Sequence, residues 1–117
     1  ESLIAEADTK YDFEKTGEEG INNISMLLYQ NRDKAYEEVK EFIVVMSALY
    51  IEIIIKDIGG KVVFENRKCI LKEIGRQKHQ TLPLVDVISI WKHCHKGGQF
   101  NIDSGLIIEY RQMRRVY

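Results

Sequence analysis

Apolar positions recur at helical spacing through the first third of the chain, and near residue 48 their period shortens to two. Ile21, Ile24, Leu27 and Leu28 fall at i, i+3, i+6 and i+7, one face of a helix that ends near Asn31. Upstream, residues 1–16 are polar with scattered apolar positions (Leu3, Ile4, Ala7, Tyr11, Phe13), a weak helical signal that Gly17 and Gly20 bend or break. Asn31 or Asp33 is placed to accept a hydrogen bond from free amides as the N-cap of a second helix. There Tyr36, Val39, Phe42, Ile43 and Met46 make an apolar stripe, with Glu37, Glu38, Lys40 and Glu41 outward, and the expected span is 33–48.

From Tyr50 onward the alternation predicts a strand. Ile51, Ile53 and Ile55 point to one side, and Tyr50, Glu52, Ile54 and Lys56 to the other. Asp57-Ile58-Gly59-Gly60 suits a four-residue hairpin loop, because glycine takes positive φ without steric cost. Lys61 to Asn66 is the return strand, so Tyr50–Asn66 is the expected β-hairpin spine of a small sheet. Cys69 to Gly75 reads as a short helical turn, and Arg76 to Gln80 as a polar loop. Pro83 fits a helical first turn, where its missing N–H costs nothing, and Asp86 suits the helix dipole. Leu84, Ile88, Trp91 and His95 follow at helical spacing, and Gly97-Gly98 ends the helix. Two more strands are expected at Gln99–Ile102 and Leu106–Tyr117, about an Asp103-Ser104-Gly105 turn. The sum is an α+β fold of one domain over 1–117, mainly helical over 1–48 and sheet with one inserted helix over 49–117.

With 117 residues, 44% hydrophobic and 30% charged, the chain belongs to the ordinary globular class. A net charge of −1 does not make the whole molecule an attractor of polyanions. The stretch with Lys61, Arg67, Lys68, Lys72, Arg76 and Lys78 is basic all the same, and reads as a solvated face or as a nucleic-acid footprint. Phe42 to Ile55, the most apolar run, is shorter than the about 20 residues of a membrane-spanning helix. The acidic start without Met reads as that of a fragment cut from a longer chain, with room for membrane segments outside it. Two cysteines make no disulfide framework and fix no redox compartment.

His93-Cys94-His95 is the densest group of metal-ligating side chains. Adjacent helical residues point about 100° apart, and the spacing is not that of a zinc site. A c-type haem is attached through Cys-x-x-Cys-His; here Cys94 and His95 stand in the last two places and Trp91 in the first. The chemistry allows one thioether through Cys94 with His95 as the iron ligand, and Met26, Met46, Met113 or His79 as a sixth ligand. Ser47, Ser89 and Ser104 lie in no nucleophile elbow, and Glu52 and Glu109 read as surface carboxylates of neighbouring strands. Nothing positions a base for Cys94, or for Cys69 with His79, so no enzyme is expected.

The run Glu37 to Asn66, a helix followed by a strand–Asp-x-Gly-Gly–strand unit, resembles the PAS-like or Cache extracytoplasmic sensor domains of bacterial chemoreceptors and sensor histidine kinases. Lys72 to Gly75, the Cys94-His95 pair and Gly97 to Phe100 are similar to the subset of these sensors with covalent haem. The resemblance covers residues 18–110. It implies a periplasmic part of an inner-membrane receptor for chemotaxis or two-component signalling, dimeric through its N-terminal helices. It also implies a small-molecule or gas ligand, or haem, held by Trp91, Cys94 and His95 with Tyr50, Glu52 and Ile54 from the sheet. The alternative is a ligand-free protein-interaction or dimerisation module, with Cys94 and His95 in the core and Tyr36, Val39 and Ile43 at an interface.

Overall fold

The computed structural model describes residues 17–75, 78–101 and 105–115. The weak helix expected over 1–16 lies outside them, as do Arg76, the Asp103-Ser104 pair and the last two residues. The fold is α+β, as the sequence predicts: four helices and a three-stranded antiparallel sheet among the described residues. In chain order these are α1 (Gly17–Gln30), α2 (Tyr36–Asp57), β1 (Lys61–Glu65), β2 (Lys68–Ile74), β3 (His79–Thr81), α3 (Pro83–His95) and α4 (Leu106–Arg115).

Helix α1 keeps the face its spacing predicts, with Ile21, Ile24 and Leu28 fully buried. Asn31 does not cap the next helix. Its side-chain amide donates to Leu27 O at 2.8 Å and closes α1 instead. Ala35 is the N-cap of α2, and the Glu38 carboxylate reaches back to accept from the Ala35 N–H at 2.9 Å, half of a capping box.

The largest departure from the sequence pattern is α2, which runs through Tyr50–Lys56 to Asp57 where a strand is predicted. Met46, Leu49, Tyr50, Ile53 and Ile54 are all buried in the core, a spacing of three, one, three and one that only a helix brings to one face. Apart from Glu52 and Lys56 the run is apolar, so an alternating and a helical pattern can both be drawn through it. Burial against α1, α3 and β2 selects the helix over β-branched propensity. The expected hairpin loop at 57–60 is therefore the junction from α2 into β1, closed by Ile58 and Gly59 N–H groups donating to Ile54 O. Gly60, at φ 147°, passes so close to β2 that a Cβ would stand 3.2 Å from Lys72 O.

The real hairpin lies one strand later. β1 pairs with β2 in the register Lys61↔Lys72 to Glu65↔Lys68, and Asn66 and Arg67 turn the corner with φ of 51° and 64°. Positive φ at both central residues marks a type I′ turn, which asparagine tolerates well. The expected helical turn at 69–75 is thus strand β2. Glu73, at φ 57°, makes a bulge between Leu71 and Ile74 that lets both face the core although they are three apart. Part of the expected 76–80 loop is β3.

Helix α3 begins at Pro83 as predicted, but its buried face is Pro83, Val87, Trp91 and Cys94, and Leu84 is exposed. The tail is not sheet. Gln99–Asn101 form no strand, and Leu106–Arg115 is helix α4, burying Leu106, Ile107, Tyr110 and Met113. All four helices and β2 meet in one apolar cluster. Val39 and Ile43 lie inside it, so they do not form an outer interface with Tyr36, which is exposed. No helix among the described residues is long and apolar enough to cross a membrane.

Candidate functional site

The C-terminal half of α3 carries the residues that the sequence singles out. Trp91 is buried, and its Nε1–H donates to Asn31 O at 3.0 Å. The His95 ring stacks on the indole at 4.6 Å between centroids, with Nδ1 2.8 Å from Arg32 O. A carbonyl can only accept, so that contact fixes the tautomer with the proton on Nδ1 and turns Nε2 outward. Together Trp91 and His95 fasten α3 to the turn between α1 and α2. Cys94 is buried and borders a cavity of about 40 Å³ shared with Ser25, Ile90, His93, Gln99, Phe100 and Asn101. Burial pushes its thiol pKa up, which lowers its reactivity.

Around Cys94 and His95 the described residues leave no haem-sized space. Cys94 borders a half-open recess of about 40 Å³, whereas ligand-sized pockets begin at about 300 Å³. His95 is exposed and already engaged with Trp91 and Arg32. Of the sixth-ligand candidates, Met46 and Met113 are core residues, Met26 is half-buried on α1, and His79 is exposed on β3. As to a metal held by side chains alone, no group of three or more His, Cys, Asp or Glu among the described residues is arranged to hold one. Tyr50 and Glu52 lie on α2, with Tyr50 fully buried and turned toward α4, and Ile54 is a core residue.

The structure instead assembles a polar cluster within the core wall, where α2, β3, α3 and α4 meet. The Tyr50 hydroxyl donates a hydrogen bond to Glu109 Oε1. Thr81 Oγ1 lies 2.5 Å from Asp86 Oδ2 and 3.0 Å from Glu109 Oε2. A hydroxyl has one proton to give, so it satisfies one carboxylate. The second contact holds only when that carboxyl brings a proton of its own. The geometry therefore accommodates the neutral form of one acid. Desolvation, with the Asp86 carboxyl beside it, raises the Glu109 pKa to about 7, against the opposing bonds from Tyr50 and Thr81. Burial first, and the Glu109 charge second, drive the Tyr50 pKa well above its ordinary value, so Tyr50 remains a donor.

Two further ties hold α4. Tyr110 donates to Asp57 Oδ2 at 2.7 Å, and the Gly17 N–H donates to the same oxygen at 2.8 Å, so one carboxylate joins α1, α2 and α4. Burial and the Asp57 carboxylate push Tyr110 up to about 12. Arg111 grips Glu18 through Nε and Nη2 at 3.1 and 2.9 Å, which holds that carboxyl below its usual range. The basic residues of the hairpin are partly neutralised: Lys61 pairs with Glu73 at 3.0 Å and Lys72 with Glu65 at 2.9 Å.

In the sequence pattern Glu109 falls on a strand surface and Asp86 only at a helix start, and nothing local joins them. Thr81 and Glu109 are 28 residues apart, Tyr50 and Glu109 59 apart. The one local signal was Glu109 itself, an acid set between Ile107, Ile108 and Tyr110. No protein-family model, curated protein or solved structure matches this chain.

Proposed function

We propose that this chain is a sensory module whose input is a proton, taken up and released by the Asp86–Glu109 pair, and whose output is the docking of α4. The observation that supports it is the single Thr81 hydroxyl shared by two carboxyls from different helices. With Glu109 neutral, Tyr50, Thr81 and Asp86 are all satisfied and α4 is held against α2, β3 and α3. When Glu109 ionises, two like charges stand about one hydroxyl, which costs on the order of 3 kcal/mol at an effective dielectric of about 20, before screening by water. A tenfold change in a two-state equilibrium needs only about 1.4 kcal/mol, so part of that cost suffices to shift α4 between docked and loosened arrangements. Tyr110–Asp57 and Arg111–Glu18 keep the helix tethered on its other side, and the change is a tilt rather than a release.

Amide exchange of α4, corrected for intrinsic rates, tests this. Protection falls about fivefold from pH 6 to pH 8 in the natural chain, the part of a one-unit pKa coupling that this window spans, and stays constant in Glu109→Gln. Equal protection at both pH values in the natural chain contradicts the reading.

A second reading, a ligand-free interaction module, is favoured by one feature, Phe64 on β1, which is 78% exposed.

A further inference from the structure

β1 is an outer strand: among the described residues it pairs with β2 alone. In a hairpin closed by a two-residue turn the flanking pair, Glu65↔Lys68, is hydrogen-bonded, and bonded and non-bonded pairs then alternate. Lys61, Val63 and Glu65 thus spend their backbone groups on β2. Val62 and Phe64 turn theirs to the free edge, and both side chains are exposed, at 38% and 78%.

We propose that this edge pairs antiparallel with β1 of a second copy of the chain, about a two-fold axis at Val63. Three registers let outward-facing residues meet outward-facing residues, with the axis at Val62, Val63 or Phe64. Only the middle one uses the whole strand. It sets Val62 against Phe64 twice, Val63 against Val63, and Lys61 against Glu65 twice, so that Lys-Val-Val-Phe-Glu is complementary to its own reverse. Across the joined sheet, Leu71, Val62, Phe64 and Cys69 form an apolar row on one face, and Ile70 and Val63 meet their copies on the other. Lys61 and Lys72 face each other within each hairpin, paired there with Glu73 and Glu65, and Lys61 gains a neighbouring Glu65 from the other copy. The opposite edge is β3, three residues long and followed closely by Pro83, so the sheet closes as a dimer and does not propagate. This interface stands apart from the proton reading and shares no residue with it.

Sedimentation velocity with charge swaps tests the pairing and its register. The natural chain sediments as a dimer. Glu65→Lys, which sets lysine against lysine twice and also removes the partner of Lys72 within each hairpin, weakens self-association about tenfold, two cross-strand pairs having turned from attraction to repulsion. Adding Lys61→Glu restores the dimer. Val62→Pro removes an N–H that points to the free edge and none that β2 uses, and gives a monomer with an unchanged far-ultraviolet spectrum. A natural chain that is monomeric throughout the micromolar range overturns the proposal. So does a Val62→Pro chain that still dimerises, or a double swap that stays folded and monomeric.

Discussion

Glu109 and Asp86 approach the same threonine hydroxyl, and the consequence at the residue scale is a definite pH dependence. The folded-state pKa of Glu109 is raised, to about 7, above the value near 4.5 of an unperturbed glutamate. The folded chain therefore binds more protons than the unfolded chain between these values, and stability falls as pH rises through that window. The stabilising share is complete below about 4.5 and lost above about 7. Because Glu109 is only half-buried, water screens the effect, and we expect about 1–2 kcal/mol rather than the full shift. Glu109→Gln imitates the neutral acid: it still accepts from Tyr50 and offers N–H donors to Thr81 and Asp86. Urea unfolding at pH 5 and pH 8 checks this. The variant loses the fall in stability seen in the natural chain, and at pH 8 it is the more stable of the two.

At the scale of elements, α2 is where the sequence and the structure part. Alternation sets Ile51, Ile53 and Ile55 on one strand face, whereas in the helix Ile53 is fully buried and Ile55 is exposed. Ile53→Ala then costs about 2–4 kcal/mol and Ile55→Ala under about 1, measured by chemical denaturation. A strand would make the two substitutions alike. What was legible is the material with a single period and clear punctuation: α1 with its Ile21–Ile24–Leu28 face, and α3 between Pro83 and Gly97. What was not legible is the material that satisfies two periods. Residues 49–55 are apolar but for Glu52, and 106–113 alternate at first as Leu106, Ile108, Tyr110 while also supplying Leu106, Ile107, Tyr110 and Met113 to a helical face. Packing against other elements decided both, and packing is not a local property. β2 was hidden by its Glu73 bulge, which breaks the strand period between Leu71 and Ile74.

Across the whole molecule, the candidate site moves from one end of α3 to the other. The sequence drew attention to the end with Trp91, Cys94 and His95, whose residues turn out to pack and to fasten α3 to the α1–α2 turn. The stretch that carried the resemblance to sensor domains is helix as far as Asp57. The α3 start, with Asp86, faces Tyr50, Thr81 and Glu109, four residues from four elements that only the folded chain brings together. The Glu109 carboxyl therefore reports directly on the account as a whole. Its carbon-13 shift, followed by NMR from pH 3 to pH 9, should titrate with a midpoint near 7 and move downward in Asp86→Asn, which removes the neighbouring carboxyl. A midpoint near 4.5, unchanged by Asp86→Asn, would contradict it.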